Sequence, residues 1–155
     1  MRVSELLHKS AVELAHGIKQ GLYSSEEVVQ VHINHITRVN PVLNALVRDR
    51  FELAISEAKQ ADFVLQKTKD VPLFHGVPCT IKECFALSGM PQSSGLLARK
   101  NMISSTDAIT VQRYKSAGFI PLGVTNLSEL CMWMESNNNV YGRSSNPYDK
   151  TRTVG

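Results

Sequence analysis

The stretch "HGVPCTIKE", residues 75–83, decides how the chain is read. Val77, Cys79 and Ile81 alternate with Pro78, Thr80 and Lys82, so the two sets point to opposite faces of a short strand. The strand ends in a lysine, and a lysine there has two readings. Its stem can lie along apolar surface while the ammonium reaches water. Alternatively it is a working amine, because burial against apolar walls disfavours the charged form and leaves a base. The strand alone favours the first reading, since buried lysines are rare.

Working outward, Pro72, Gly76 and Pro78 mark a change of character from what precedes them. The first third reads as helix. Ser10 and Glu13 form a capping box, Val12, Leu14, Ala15 and Ile18 follow at helical spacing, and Gly21 is a stop. Ser24 with Glu27 repeats the design. Val29, Ile33, Ile36 and Val39 make one stripe that Pro41 should end. "LNALVRD" reads as an edge strand. "RFELAISEAKQADFVLQKTK" is the clearest helix, with Phe51, Ala54, Ile55, Ala58, Ala61 and Leu65 on one face.

After the central strand, "CFALSGMPQSSGLLARKNMISS" reads as a long loop. "TDAITVQRYKSAG" resumes as a helix capped by Ser105 or Thr106 and stopped by Gly118. "FIPLGVT" is a second strand, "NLSELCMWMES" the start of another helix, and "NNNVYGRSSNPYDKTRTVG" a polar loop. This alternation predicts an α/β chain with a mixed sheet flanked by helices.

Composition narrows the function classes. The chain has 155 residues, a formal net charge of +3 and basic residues that are scattered rather than clustered. That pattern argues against nucleic acid as a partner. The three cysteines, Cys79, Cys84 and Cys131, are irregularly spaced and give neither a disulfide framework nor a zinc knuckle. They read as reduced thiols of a cytoplasmic setting, with Cys79 a small core residue. His32 and His35 lie three apart on a helix without a carboxylate or third ligand, so no metal is expected there. No run reaches ~18 apolar residues, so no transmembrane segment is expected.

Taken together, "GVPCTIKE", "GMPQSSG", "SAGFIPLGVTNLSEL" and "NNNVYGRSSNPYD" resemble the amidase signature family in order and spacing. Residues 71–155 carry the motifs and would be the start of the signature core, with 1–70 a helical lead-in. "GMPQSSGL", "LSELCMW" and "YGRSSNPYD" are most similar to its animal fatty-acid amide hydrolase branch. The resemblance implies hydrolysis of a small-molecule carboxamide, with fatty-acid amides the class the branch suggests. It implies no cofactor and no metal. Oligomeric state, and membrane association of a longer parent, stay open. In the family the matching lysine belongs to a Ser–Ser–Lys triad, which assigns Lys82 as catalytic base. The family also places Cys131, Met132, Trp133 and Met134 beside the substrate, where soft apolar groups suit an acyl chain. An ordinary core helix start is the competing reading.

Of two departures from the family pattern, the first is small and the second decisive. Glu83 stands where the family commonly has aspartate. The family's serines lie in a Gly-Gly-Ser-Ser-Gly-Gly motif and a later Gly-Gly-Ser motif, and the sequence ends "TRTVG", with Gly155 matching the first glycine. The expectation is an N-terminal portion of one amidase domain that is inactive alone. The "SSG" at 93–95 lacks the strand–turn–helix setting of a nucleophile elbow. Two rival functions remain: a truncated product that binds acyl amides or a partner chain, and a Schiff-base enzyme with Lys82 as nucleophile.

Overall fold

The computed structural model describes residues 2–154. Gly155, the expected first glycine of the serine motif, lies outside the described residues. The elements run α1 (Arg2–Leu7), α2 (Ala11–Gln20), α3 (Ser25–Leu43), β1 (Leu46–Asp49), α4 (Phe51–Lys67), β2 (Pro78–Lys82), α5 (Ile109–Ser116), β3 (Ile120–Thr125), β4 (Asn137–Asn138) and β5 (Gly142–Arg143). The strand order is β1-β3-β2 in the larger sheet and β4-β5 in the smaller. This is the expected α/β architecture. The polypeptide divides into two units that interleave along the sequence.

The first unit runs through His35 and returns at Arg50–Cys79 and Arg113–Leu122. Its core gathers Leu6, Leu14, Ala15, Ile18, Val28, Val31, Leu65 and Val77, with Phe74 stacked on Phe119 at 4.5 Å between ring centroids. The α2 capping box forms as read. Ser10 Oγ accepts from Glu13 N at 3.3 Å and Glu13 Oε2 from Ser10 N at 2.7 Å. Gly21 closes the helix at φ +73°. Ser24 Oγ accepts from Glu27 N at 3.0 Å at the start of α3. Across from it, Asp62 takes the Ser25 and Glu26 N–H groups at 2.7 and 3.0 Å. His32 Nδ1 lies 2.8 Å from the Val28 carbonyl oxygen of its own helix. Gly118 ends the α5 turn at φ +100°, where a Cβ would come within 2.6 Å of His75 backbone atoms, so the position requires glycine.

The second unit comprises Ile36–Asp49, Thr80–Gln112 and the chain from Gly123 onward. Here β1 pairs antiparallel with β3 (Leu46 with Thr125, Arg48 with Val124, Asp49 with Gly123), and the register shifts between Leu46 and Arg48. Gly123 faces the Arg48 carbonyl so closely that a Cβ would collide with it. The long loop is pinned rather than loose. A bridge joins Pro91 to Ile103, and a 3-10 turn covers Leu97–Arg99.

Four local expectations are corrected. α3 runs through Pro41 to Leu43. Pro41 sits in the last turn, so the break that its ring and missing N–H impose on the hydrogen-bond ladder falls at the helix end, and the chain leaves the helix at Asn44 with φ +49°. Asn40 then holds the exit, its Oδ1 accepting from Ala45 N and Leu46 N at 2.9 and 2.8 Å. α5 begins at Ile109, so Ser105 and Thr106 precede it without capping it. "NLSELCMWMES" makes no helix beyond a 3-10 turn at Glu129–Cys131, because Leu130 and Cys131 adopt φ +51° and +58°. Part of the polar C-terminal loop is the β4–β5 hairpin, Asn137 opposite Arg143 and Asn138 opposite Gly142.

Candidate active site

Lys82 is the last residue of β2, as the alternation requires. Its side chain is exposed in this chain, not packed between apolar walls. The next residue behaves in the opposite way. Glu83 is fully buried. Its backbone N–H donates to the Thr125 carbonyl at 3.0 Å, which continues the pairing with β3 by one residue.

A carboxylate taken wholly out of water needs hydrogen bonds to its charged form. Glu83 has four. Oε1 accepts from Ser93 N at 2.6 Å, Ser93 Oγ at 2.7 Å and Tyr141 Oη at 2.7 Å. Oε2 accepts from Ser94 N at 2.9 Å. The "SSG" stretch at 93–95 is therefore the clamp around a buried acid. Burial pushes the Tyr141 phenol up to about 12, with the Glu83 carboxylate adding to the rise and the Ser93 hydrogen bond opposing it.

Tyr141 is held in turn by two buried asparagines. Asn138 Oδ1 accepts from Val140 N and Tyr141 N at 2.9 and 2.8 Å, and its Nδ2 donates to Asn126 Oδ1 at 2.9 Å. Asn126 Nδ2 donates to the Gly142 carbonyl and to Ser144 Oγ, both at 3.0 Å. The motif residues of β3's exit and of the β4–β5 hairpin thus form one framework ending on Glu83, beside Lys82.

The 129–134 turn comes into the same unit through Ser94, whose carbonyl accepts from Leu130 N at 2.9 Å. Cys131 is exposed, and Met132, Trp133 and Met134 are 77%, 70% and 75% exposed. Burial pushes the Cys84 thiol up to about 11, with the neighbouring Cys131 adding to the rise and the Lys82 charge opposing it. Met132, Trp133 and Met134 project away from the core as soft apolar surface.

The sequence model of the amidase family matches residues 27–155. This chain belongs to the amidase signature family. The amidase chain is 51% identical over 158 residues to fatty-acid amide hydrolase 2-A of Danio rerio. It is 50% identical over 157 residues to fatty-acid amide hydrolase 2 of Homo sapiens. Each alignment covers 97% of this chain and 30% of the relative, so the chain spans under a third of those proteins' length. A bacterial aryl acylamidase of the amidase signature family superposes with a TM-score of 0.89 at 25% identity, over 95% of this chain and 31% of that one.

The sequence reading singled out Lys82 but treated Glu83 only as a variant of the motif, and it missed Tyr141, Asn126 and Asn138 as a hydrogen-bonded set. A signal was available. An acid directly following an apolar strand, with a Gly- and Ser-rich loop ten residues on, is a pattern in which loop N–H groups can surround a buried carboxylate.

Proposed function

We propose that the protein to which this amidase chain belongs hydrolyses small-molecule carboxamides, fatty-acid amides foremost, through an acyl-enzyme. Lys82 acts as the general base of a Ser–Ser–Lys triad. The residues described here supply the base and its scaffold, and they are inactive without the serine motifs. The observation that carries the reading is the placement of Lys82. It ends β2 next to a carboxylate anchored by four hydrogen bonds, in a chain half-identical to two fatty-acid amide hydrolases.

The chemistry assigns each part a task. A hydroxyl attacks an amide carbonyl only when a positioned base takes its proton and donors meet the developing oxyanion. A lysine serves as base when apolar walls disfavour its ammonium form. Its side chain is exposed here, so the reading requires apolar walls that the described residues do not supply. Met132, Trp133 and Met134 offer flexible apolar surface suited to an acyl chain.

The test compares this chain with one extended through the Gly-Ser-rich motifs. The extended chain should label with a fluorophosphonate and turn over a fatty-acid amide, whereas residues 1–155 should do neither. In the extended chain, Lys82→Ala and Lys82→Arg should each lose at least ~10²-fold in turnover, as removal of a general base does. Near-normal turnover of Lys82→Arg would make the residue an electrostatic anchor and end the base assignment.

A further inference from the structure

Lys82 is held through its main chain. The peptide groups on either side of it both rest on Thr125 of β3. Thr125 Oγ1 donates to the Ile81 carbonyl at 3.4 Å, and Glu83 N donates to the Thr125 carbonyl at 3.0 Å. The Lys82 carbonyl accepts from Phe85 N at 2.9 Å, so the chain turns immediately after the lysine. A strand end of this kind opens readily unless a side chain pins it. The pin is the next residue. Lys82 and Glu83 are successive, so the exposed lysine and the fully buried acid lie on opposite faces. The Glu83 carboxylate ties the strand end to two distant segments, Ser93 and Ser94 of the long loop and Tyr141 of the β4–β5 hairpin.

From this arrangement we infer that Glu83 is a positioning residue for the Lys82 base, with Tyr141 as its partner. It acts on the amine through the main chain. The inference rests on the assignment of Lys82 as base and deepens it.

The donor set explains why an acid stands there. Four donors converge on two oxygens, three on Oε1 and one on Oε2. Only a carboxylate offers acceptors on both atoms. An amide of the same size has one acceptor oxygen, and its NH2 group would face a donor whichever way it turned. Aspartate keeps both acceptors on a side chain one methylene shorter. Acceptor count therefore ranks aspartate above glutamine at position 83, whereas size ranks them the other way. A base displaced by about 1 Å loses on the order of 10²-fold in rate, so the effect falls on kcat.

The experiment measures kcat and KM for a fatty-acid amide in the full-length parent, with each variant's melting curve as the folding control. Glu83→Gln should lower kcat ~10²-fold at unchanged KM. Glu83→Asp should retain more kcat than Glu83→Gln. Tyr141→Phe removes one hydrogen bond without changing shape; it should lower kcat by less, and it keeps the inference testable where Glu83→Gln does not fold. The decisive arm repeats Glu83→Gln and Tyr141→Phe in a Lys82→Ala background. There they should cause no further loss, because a group that acts through Lys82 has nothing left to act on. Two results would overturn the inference while leaving the base assignment intact: losses that add to that of Lys82→Ala, or folded Glu83→Gln or Tyr141→Phe proteins with wild-type kcat. Normal turnover of Lys82→Ala alone would end the base assignment itself, and this inference with it.

Discussion

Glu83 and Tyr141 show what a single buried charge demands. The carboxylate is fully buried, and the phenol donates to it at 2.7 Å. A phenolate at that position would lose its proton-mediated bond and face a negative charge in a poorly solvated site. The folded state therefore holds the Tyr141 proton more tightly than the unfolded chain does, with a pKa of about 12 against an ordinary 10.0. The sign follows from linkage. Between those two values the unfolded state has already lost the proton and the folded state has not, so stability falls with rising pH. The contribution is intact below the unfolded value and is gone above the folded one. Tyr141→Phe should accordingly show a flatter alkaline limb when unfolding free energy is measured against pH across this window. Tyr23, also raised by burial, should leave a residual slope in the variant. Identical alkaline limbs for the two proteins would mean that Tyr141 titrates as a free phenol. At this scale Lys82 was legible in the sequence because strand parity and its position at the strand end need only local information. Glu83 was not, because its partners lie ten and fifty-eight residues away and alternation says nothing about them.

At the scale of elements, helix starts were readable wherever the cap is local. Ser10 with Glu13 and Ser24 with Glu27 both cap as the spacing predicts. The start of α3 has a further cap that spacing cannot reveal, the Asp62 carboxylate, which takes two of the helix's unpaired N–H groups. Asp62→Ala should cost about 1–2 kcal/mol in urea unfolding, the range for loss of a side-chain cap. Asp62→Asn keeps one acceptor oxygen and should cost less. Equal midpoints for all three proteins would show that Ser24 alone suffices. The turn at 129–131 is the opposite case. "NLSELCMWMES" has the residue types of a helix start, yet Leu130 and Cys131 take left-handed angles and the helix never propagates. Trp133, the sole tryptophan, reports the difference. With 70% of its surface exposed it should emit close to free tryptophan and be readily quenched by iodide. A blue-shifted, protected emission would restore the core-helix reading that the structure corrects.

For the whole molecule, the sequence by itself determined the alternation of helices and strands, the strand carrying Lys82 and the family. Each rests on short-range patterns: capping pairs, periods of two and 3.6, and motifs whose order along the chain is their information. Membership of the amidase family agrees with the match over residues 27–155. Only the tertiary structure decided what those motifs build. It placed β1 beside β3, set Ser94 between Glu83 and Leu130, and brought Asn126, Asn138 and Tyr141 into one framework. Such pairings depend on which distant groups satisfy a buried polar atom once water is excluded. That condition is imposed by the folded interior as a whole, and no local stretch of sequence contains it.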